Sequence, residues 1–330
     1  MVTPAHTPPA GLRGRCFTTA EAYAHGVTRG QLLGPGYVSV FRNVWAVAGH
    51  VFPADPVEHL MDLLPAVQLA YPGTAASHTT AALVLGLRVP GRLRLALPIH
   101  LTPWTEVLPP RVKGLRGHRS WIPPQDRVLQ TGVGVTGPVR TLVDLAGAAG
   151  PRGPWFLDQA ALVSVLDGVI CEHRYGPLRG VPPLRAREAV AEDLARMTGL
   201  RGVARVRSAL ALARPGVDSA AETRARLVLQ DNGLGEWVTD LELRAPGHRS
   251  VWPDLARPED KVSLQIEGPH HDADRQRVRD IERQRATEAA GWIEVRVLIS
   301  DLYPRSFDPP GTPPRVVDLV REAIARRGRG

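Results

Sequence analysis

Cysteine is nearly absent from this chain of 330 residues: Cys16 and Cys171 are the two it has. Two thiols so far apart make neither a disulfide framework nor a metal-ligand spacing, which excludes a cross-linked miniature scaffold and a cysteine-ligated zinc finger. Lysine is as scarce. Among 41 basic residues only Lys113 and Lys261 are lysine, and the rest are arginine. Long hydrophobic runs are missing too. None approaches the roughly 18 residues of a membrane-spanning helix. The opening "MVTPAHTPPAGLRGRC" has no apolar stretch of a secretory signal. These absences lead to the expectation of a soluble, cytoplasmic protein with reduced thiols and no membrane partner.

What is present is positive charge. The formal net charge is +8. Guanidinium forks suit phosphate recognition, so the excess is compatible with a polyanionic partner. A GC-rich coding sequence produces the same arginine bias, and the charge alone leaves both explanations open. The length accommodates two or three domains.

Along the chain, residues 1–15 are rich in Pro, Gly and Thr and read as a mobile arm. In "FTTAEAYAHGVTRGQLLGPGYVSVFRNVWAVAG", Thr18 or Thr19 can cap a short helix through Ala24, and Thr28 a second through Leu33. The β-rich runs "YVSVF" and "VWAVA" follow, joined at Arg42-Asn43. Helix, turn, helix, hairpin is the order of a winged helix-turn-helix. Residues 51–214 mix helix and strand, with helices at "SHTTAALVLGL" and "TGPVRTLVDLAG", a strand at "LRLALPIHLT" and mostly helix from 155 onward. From 218 the pattern predicts an amphipathic helix, strands at 237–244, 251–256 and 261–267, a long polar helix over 272–291, a strand at 292–298 and a closing helix at 314–327.

The predicted strand "KVSLQIEG" carries Gln265 and Glu267 two residues apart, hence on one face. The short turn "RPED" makes its predecessor a neighbour, which brings Asp254 toward that face, and Glu222 lies on the helix that would pack across the sheet. Converging carboxylates repel unless a cation neutralises them. Hard oxygen ligands favour Mg²⁺ or Mn²⁺, which can activate water at a phosphodiester. His270 or His271, at the strand exit, could orient or deprotonate that water. Solvated strand ends and turn histidines would produce the same spacing.

"PDLARPEDKVSLQIEGPHH" followed by "RDIERQRATEAAGWIEVRV" resembles the very-short-patch-repair-like endonucleases of the restriction-endonuclease-like PD-(D/E)xK superfamily. The resemblance covers roughly residues 218–302. It implies metal ligation by Asp254, Gln265 and Glu267, with Glu222 as the acid of the opening helix and His270 or His271 handling the water. Gln265 departs from the pattern, which usually has a carboxylate there; an amide oxygen can ligate but brings no charge.

The segment from Phe17 to Gly49 resembles the winged helix of AbiEi-type antitoxins, and "SHTTAALVLGL" with "VTGPVRTLVDLAG" resembles the region downstream of it in actinobacterial proteins that join the two modules. This resemblance implies DNA as a partner and admits a cognate toxin as another. Thr28, Arg29 and Gln31 on the second helix and Arg42 at the wing tip are the expected DNA contacts. Arg275, Arg279 and Arg283 share a face of the long polar helix, and the first two are further candidates to track phosphates.

The expectation is therefore a multidomain α/β protein. Residues 1–50 form an arm and winged helix-turn-helix, 51–214 a mixed α/β and helical middle, and 215–330 a restriction-endonuclease-like αβββαβ domain with a C-terminal helix. Its expected function is DNA binding with metal-dependent endonucleolytic hydrolysis. The alternative is a non-catalytic DNA-binding regulator or antitoxin with a degenerate nuclease domain.

Overall fold

The computed structural model describes residues 7–148, 150, 153–175, 178–268 and 273–328. Among these the chain is mixed α/β, with eleven α-helices and three sheets. No helix among them is long and apolar enough to cross a membrane. The chain divides into two compact units: Met1–Leu157 with Asp193–Ala204, and Asp158–Glu192 with Arg205–Gly330. The boundaries expected from sequence fall elsewhere, after residues 50 and 214.

In the first unit, of the mobile arm expected at residues 1–15, residues 1–6 lie outside the described residues, and the described part is anchored. Ala10–Leu12 make a single 3₁₀ turn, and Leu12 is fully buried beside Phe17, Ala22, Val27, Leu32 and Tyr37. One apolar side chain with five apolar neighbours is enough to anchor that stretch. Strand β1 (Phe17–Thr18) leads into α1 (Thr19–Ala24), then α2 (Arg29–Leu32). Both helices start at a capping box. Thr18 Oγ1 accepts from Glu21 N and Glu21 returns to Thr18 N; Thr28 and Gln31 repeat the pattern. The hairpin β2 (Tyr37–Phe41) and β3 (Val44–Val47) turns at Asn43, whose φ is +66°, and the sheet order is β1-β3-β2.

Helix α3 (Pro56–Ala70) begins at Asp55, whose carboxylate accepts from Val57 N and Glu58 N. Next come β4 (Thr74–Ala76), α4 (His78–Val84), β5 (Ile99–Pro103), β6 (Leu115–Gly117), β7 (Arg127–Gln130), β8 (Val133–Thr136) and α5 (Pro138–Gly147). Their sheet has the order β6-β5-β4-β8-β7. Its core takes in Phe41 and Val44 of the hairpin together with Leu60, Leu64, Ile99 and Val135, so packing runs unbroken past residue 50. Within α5, Arg140 is buried and donates to Asp144 at 2.8 Å and to the Trp121 carbonyl at 2.9 Å.

In the second unit, α6 (Gln159–Val169) packs on α9 (Ala220–Asp231). Between them in sequence lie α7 (Arg187–Arg196) and α8 (Val203–Leu212), of which residues 193–196 and 203–204 belong to the first unit. Asp167, fully buried on α6, accepts from Arg226 Nη2 at 2.9 Å, Thr223 Oγ1 at 2.7 Å and Arg214 N at 2.7 Å. Then follow β9 (Leu255–Arg257), β10 (Val262–Glu267), α10 (Ala273–Ala289), β11 (Ile293–Leu298) and α11 (Arg315–Arg327). The sheet order is β11-β10-β9, with β10 parallel to β11 and antiparallel to β9. The strand expected at 237–244 is reduced to two isolated bridges, Val238 with Ala256 and Leu243 with Val251. Asp240, between them, has φ +54°, a left-handed conformation that a continuous strand cannot accommodate. The strand expected at 251–256 likewise shortens to β9.

Candidate functional site

The acids singled out in sequence lie in the second unit. Ser219 caps α9, and its Oγ accepts from Glu222 N at 3.1 Å. That places Glu222 in the first helical turn, where Oε2 accepts from Asp218 N at 2.8 Å. Glu222 is 7% exposed, and burial pushes its carboxyl up to about 7, with Asp254 adding to the rise. Glu222, Asp254, Asp218, Asp240 and His173 line one cavity of about 230 Å³. Burial also lifts the Asp254 carboxyl, to about 6, against the opposing pull of the Ile266 amide, Gln265 and Arg283.

Strand alternation and the turn at 258–261 bring Gln265 to Asp254, as the spacing predicts. Gln265 Nε2 donates to both Asp254 oxygens at 2.9 Å, and Ile266 N donates to Oδ2 at 2.6 Å. Glu267 faces two guanidiniums instead. Its Oε1 lies 3.7 Å from Arg283 Nη2 and 3.9 Å from Arg296 Nη1. Arg283 also pairs with Asp280 at 3.2 Å and Glu294 at 3.4 Å. An Mg²⁺ or Mn²⁺ site needs several oxygen lone pairs aimed at one point. In the trio Asp254, Gln265 and Glu267, N–H donors engage the first carboxylate and arginines neutralise the last. That donor set fits a hard divalent cation poorly. Asp254 and Glu222, which border the cavity together, are the better-placed pair of oxygen ligands.

His270 and His271 lie outside the described residues. Arg275 and Arg279 lie on α10, but their side chains are likewise outside the described part. In the first unit, Arg29 and Arg42 are exposed, at the start of α2 and in the β2–β3 turn. Thr28 and Gln31 are occupied with each other: Gln31 Oε1 accepts from Thr28 N at 2.8 Å and from Thr28 Oγ1 at 3.1 Å. Their first task is to cap α2.

Clusters assembled across the fold escape a reading of sequence spacing, and two of them stand out. In the second unit, His173 Nε2 sits 3.1 Å from Asp218 and 3.3 Å from Cys171 Sγ, and Nδ1 lies 3.4 Å from Asp240. The near pair Cys171 and His173 is a faint local cue. In the first unit, His78, His100 and His118 converge. His100 Nδ1 lies 3.0 Å from His118 Nε2, and the rings of His78 and His118 stack at 3.5 Å. Burial, above all, holds all three imidazoles neutral: His78 is far down, His100 near 3 and His118 near 4. Nothing in the local sequence announces this trio, because each member belongs to a different strand end.

Compared with known proteins, the chain is 29% identical over 120 residues to two uncharacterized proteins of Mycobacterium tuberculosis, MT2308 of strain CDC 1551 and Rv2248 of strain H37Rv. The matched stretch is 36% of this chain and 44% of each relative, so the chain spans less than half the length of the curated relatives it matches. No protein-family description matches the chain, and no solved structure does.

Proposed function

We propose that this chain is a DNA-binding protein with a winged helix-turn-helix near its N-terminus and a restriction-endonuclease-like domain in its second unit that holds DNA without cutting it. The order α1, α2, β2, β3 supports the first part, with Arg29 and Arg42 exposed where a second helix and a wing would meet a duplex. The order α9, two bridges, β9, β10, α10, β11 supports the second. One observation carries the absence of turnover: Gln265 occupies both oxygens of Asp254 through its amide N–H, at 2.9 Å. A donor stands where a metal site needs an acceptor, and the other carboxylate of the strand faces arginine.

The second reading, metal-dependent phosphodiester hydrolysis, is favoured by the cavity shared by Asp254 and Glu222. Two carboxyls raised by burial, with Asp254 adding to the rise at Glu222 and Asp218 to that at Asp254, are what a divalent cation would relieve.

Duplex DNA binding and supercoiled plasmid nicking, the latter with Mg²⁺ and with Mn²⁺, test both readings. The expected result is salt-sensitive binding that weakens in Arg29→Ala and Arg42→Ala, with no nicking above a no-protein control. Nicking that disappears in Asp254→Asn would install the second reading. Loss of neither binding nor salt dependence in the arginine variants would remove the winged-helix assignment.

A further inference from the structure

The tri-histidine cluster of the first unit has no part in the function proposed above. The sheet builds it. Ser77 follows β4 and His78 opens α4; His100 lies in β5; His118 follows β6. Antiparallel β4–β5 and parallel β5–β6 pairing make the three strands neighbours, so His78, just past β4, and His118, just past β6, both come beside His100 of the middle strand. Backbone bonds fix them there: Ser77 N donates to the His100 carbonyl at 3.0 Å, and His118 N to the Leu101 carbonyl at 2.9 Å. One ring nitrogen or more from each histidine falls within 4.8 Å of the others.

We propose that His78, His100 and His118 form a binding site for a late first-row divalent metal ion, zinc foremost, with a remaining coordination position open to solvent on the His118 side. Neutral imidazole suits zinc, nickel, copper and cobalt, whereas Mg²⁺ and Ca²⁺ want oxygen. With zinc–nitrogen bonds of about 2.0–2.1 Å, tetrahedral geometry sets ligating nitrogens about 3.4 Å apart. The His100–His118 pair is already at 3.0 Å. The third ring, His78, stacks face to face on His118 at 3.5 Å, so ligation requires it to rotate until its nitrogen points at the shared position.

Hydrogen bonding does not account for the cluster. The His100–His118 contact uses one nitrogen of each ring. His100 Nε2, which diverges from that contact, has no hydrogen-bond partner among the described residues, on a residue 1% exposed. His78 also holds φ at +51°, an uncommon conformation for a residue with a side chain. Its Nδ1 lies 3.0 Å from Ser77 Oγ, which in turn accepts from Thr102 Oγ1 at 2.7 Å. A metal-ligating histidine typically anchors its other nitrogen in this way, and Nε2 of His78 is then the atom left to ligate. Two guanidiniums lie near. Arg140 is neutralised by Asp144 at 2.8 Å, and Arg116 stacks 4.3 Å over the Trp155 ring. They weaken affinity for a cation without removing the donors. In two other mixed clusters, Cys16–His50–Asp62 and Cys171–His173–Asp218, the histidine already pairs with a carboxylate, at 2.6 and 3.1 Å.

The test uses the full chain, free of any tag and stripped with a chelator. Zn²⁺ and Mg²⁺ are titrated calorimetrically, and Co²⁺ is followed by absorption. Expected are one Zn²⁺ per chain, no Mg²⁺ uptake at this site, and visible Co²⁺ bands without a thiolate charge-transfer band. His118→Ala and His118→Gln, at the least buried ligand, should bind Zn²⁺ at least about tenfold more weakly while keeping parental helix content by circular dichroism. No Zn²⁺ binding, binding unchanged in both variants, or a thiolate band would overturn the proposal. Should both variants misfold, the Co²⁺ spectrum of the parent decides alone. None of these outcomes depends on DNA binding or on nuclease activity.

Discussion

At the residue scale, Gln265 is the position that separates the two proposed readings. Its amide donates to both oxygens of a partly buried carboxylate. In Gln265→Glu those bonds vanish and two carboxylates meet with Arg283 the nearest relief. The expected loss of stability is about 1–3 kcal/mol at pH 7, the usual consequence of an unsatisfied or like-charged buried group. A thermal melt with and without millimolar Mg²⁺ or Mn²⁺ checks it; recovery of the full loss by metal would favour the hydrolytic reading. Glu222 carries a pH signature. Its folded carboxyl titrates near 7, well above an unfolded glutamate. Between those values the folded chain keeps a proton that the unfolded chain has released, so stability falls as pH rises from about 4.5 to about 7 and then levels. Glu222→Gln keeps an oxygen to accept from Asp218 N and removes the charge. It should be more stable than the parent at pH 8, by on the order of 3 kcal/mol, and the difference should close toward pH 5. Denaturant unfolding at pH 5, 6.5 and 8 measures it; a gap constant with pH would contradict the assignment.

At the element scale, two helices of six and four residues depend on their first turns. Helices that short do not form by propensity, and the capping boxes and the apolar contacts beneath them hold them. Thr28→Ala should lose about 1 kcal/mol and some DNA affinity along with it, because α2 frays. Arg29→Ala should leave the melting temperature unchanged and lower only the affinity. Equal melting temperatures in both variants would deny the cap its role. On α6, Asp167 gathers three donors at full burial. Asp167→Ala strands Arg226, 2% exposed, without its countercharge and should destabilise the second unit by about 3–5 kcal/mol, visible as a lowered unfolding midpoint.

At the scale of the whole molecule, the charge balance of 41 basic against 33 acidic residues matters chiefly through where the arginines point. Many are spent internally: Arg140 on Asp144, Arg226 on Asp167, Arg283 and Arg296 among Glu267, Asp280 and Glu294. The count of basic residues therefore overstates the cations available to phosphate, while these pairs leave the net charge unchanged. Removing one arginine–phosphate pairing should lower the slope of log affinity against log salt by about 0.9. Arg29→Ala with Arg42→Ala should thus flatten it by roughly twice that. A slope unchanged in the double variant would remove Arg29 and Arg42 from the proposed interface.

The sequence by itself determined what depends on near neighbours. Threonine with an acid or amide three residues on set the start of α1 and of α2; "YVSVF" is β2, end to end; and alternation along β10 put Gln265 beside Asp254 across a short turn. Hydrogen bonds within a turn of helix, and a period of two along a strand, are local properties that a short window contains. Only the tertiary structure decided which partners the acids meet. Asp240 left the strand region and broke 237–244. Arg283 came from α10 to neutralise Glu267. His78, His100 and His118 met because the sheet runs β6-β5-β4, an order that no window of sequence carries. Strand order is set by which apolar faces bury together over the whole chain, so charge neutralisation and ligand clusters built across strands become readable only once that packing is known.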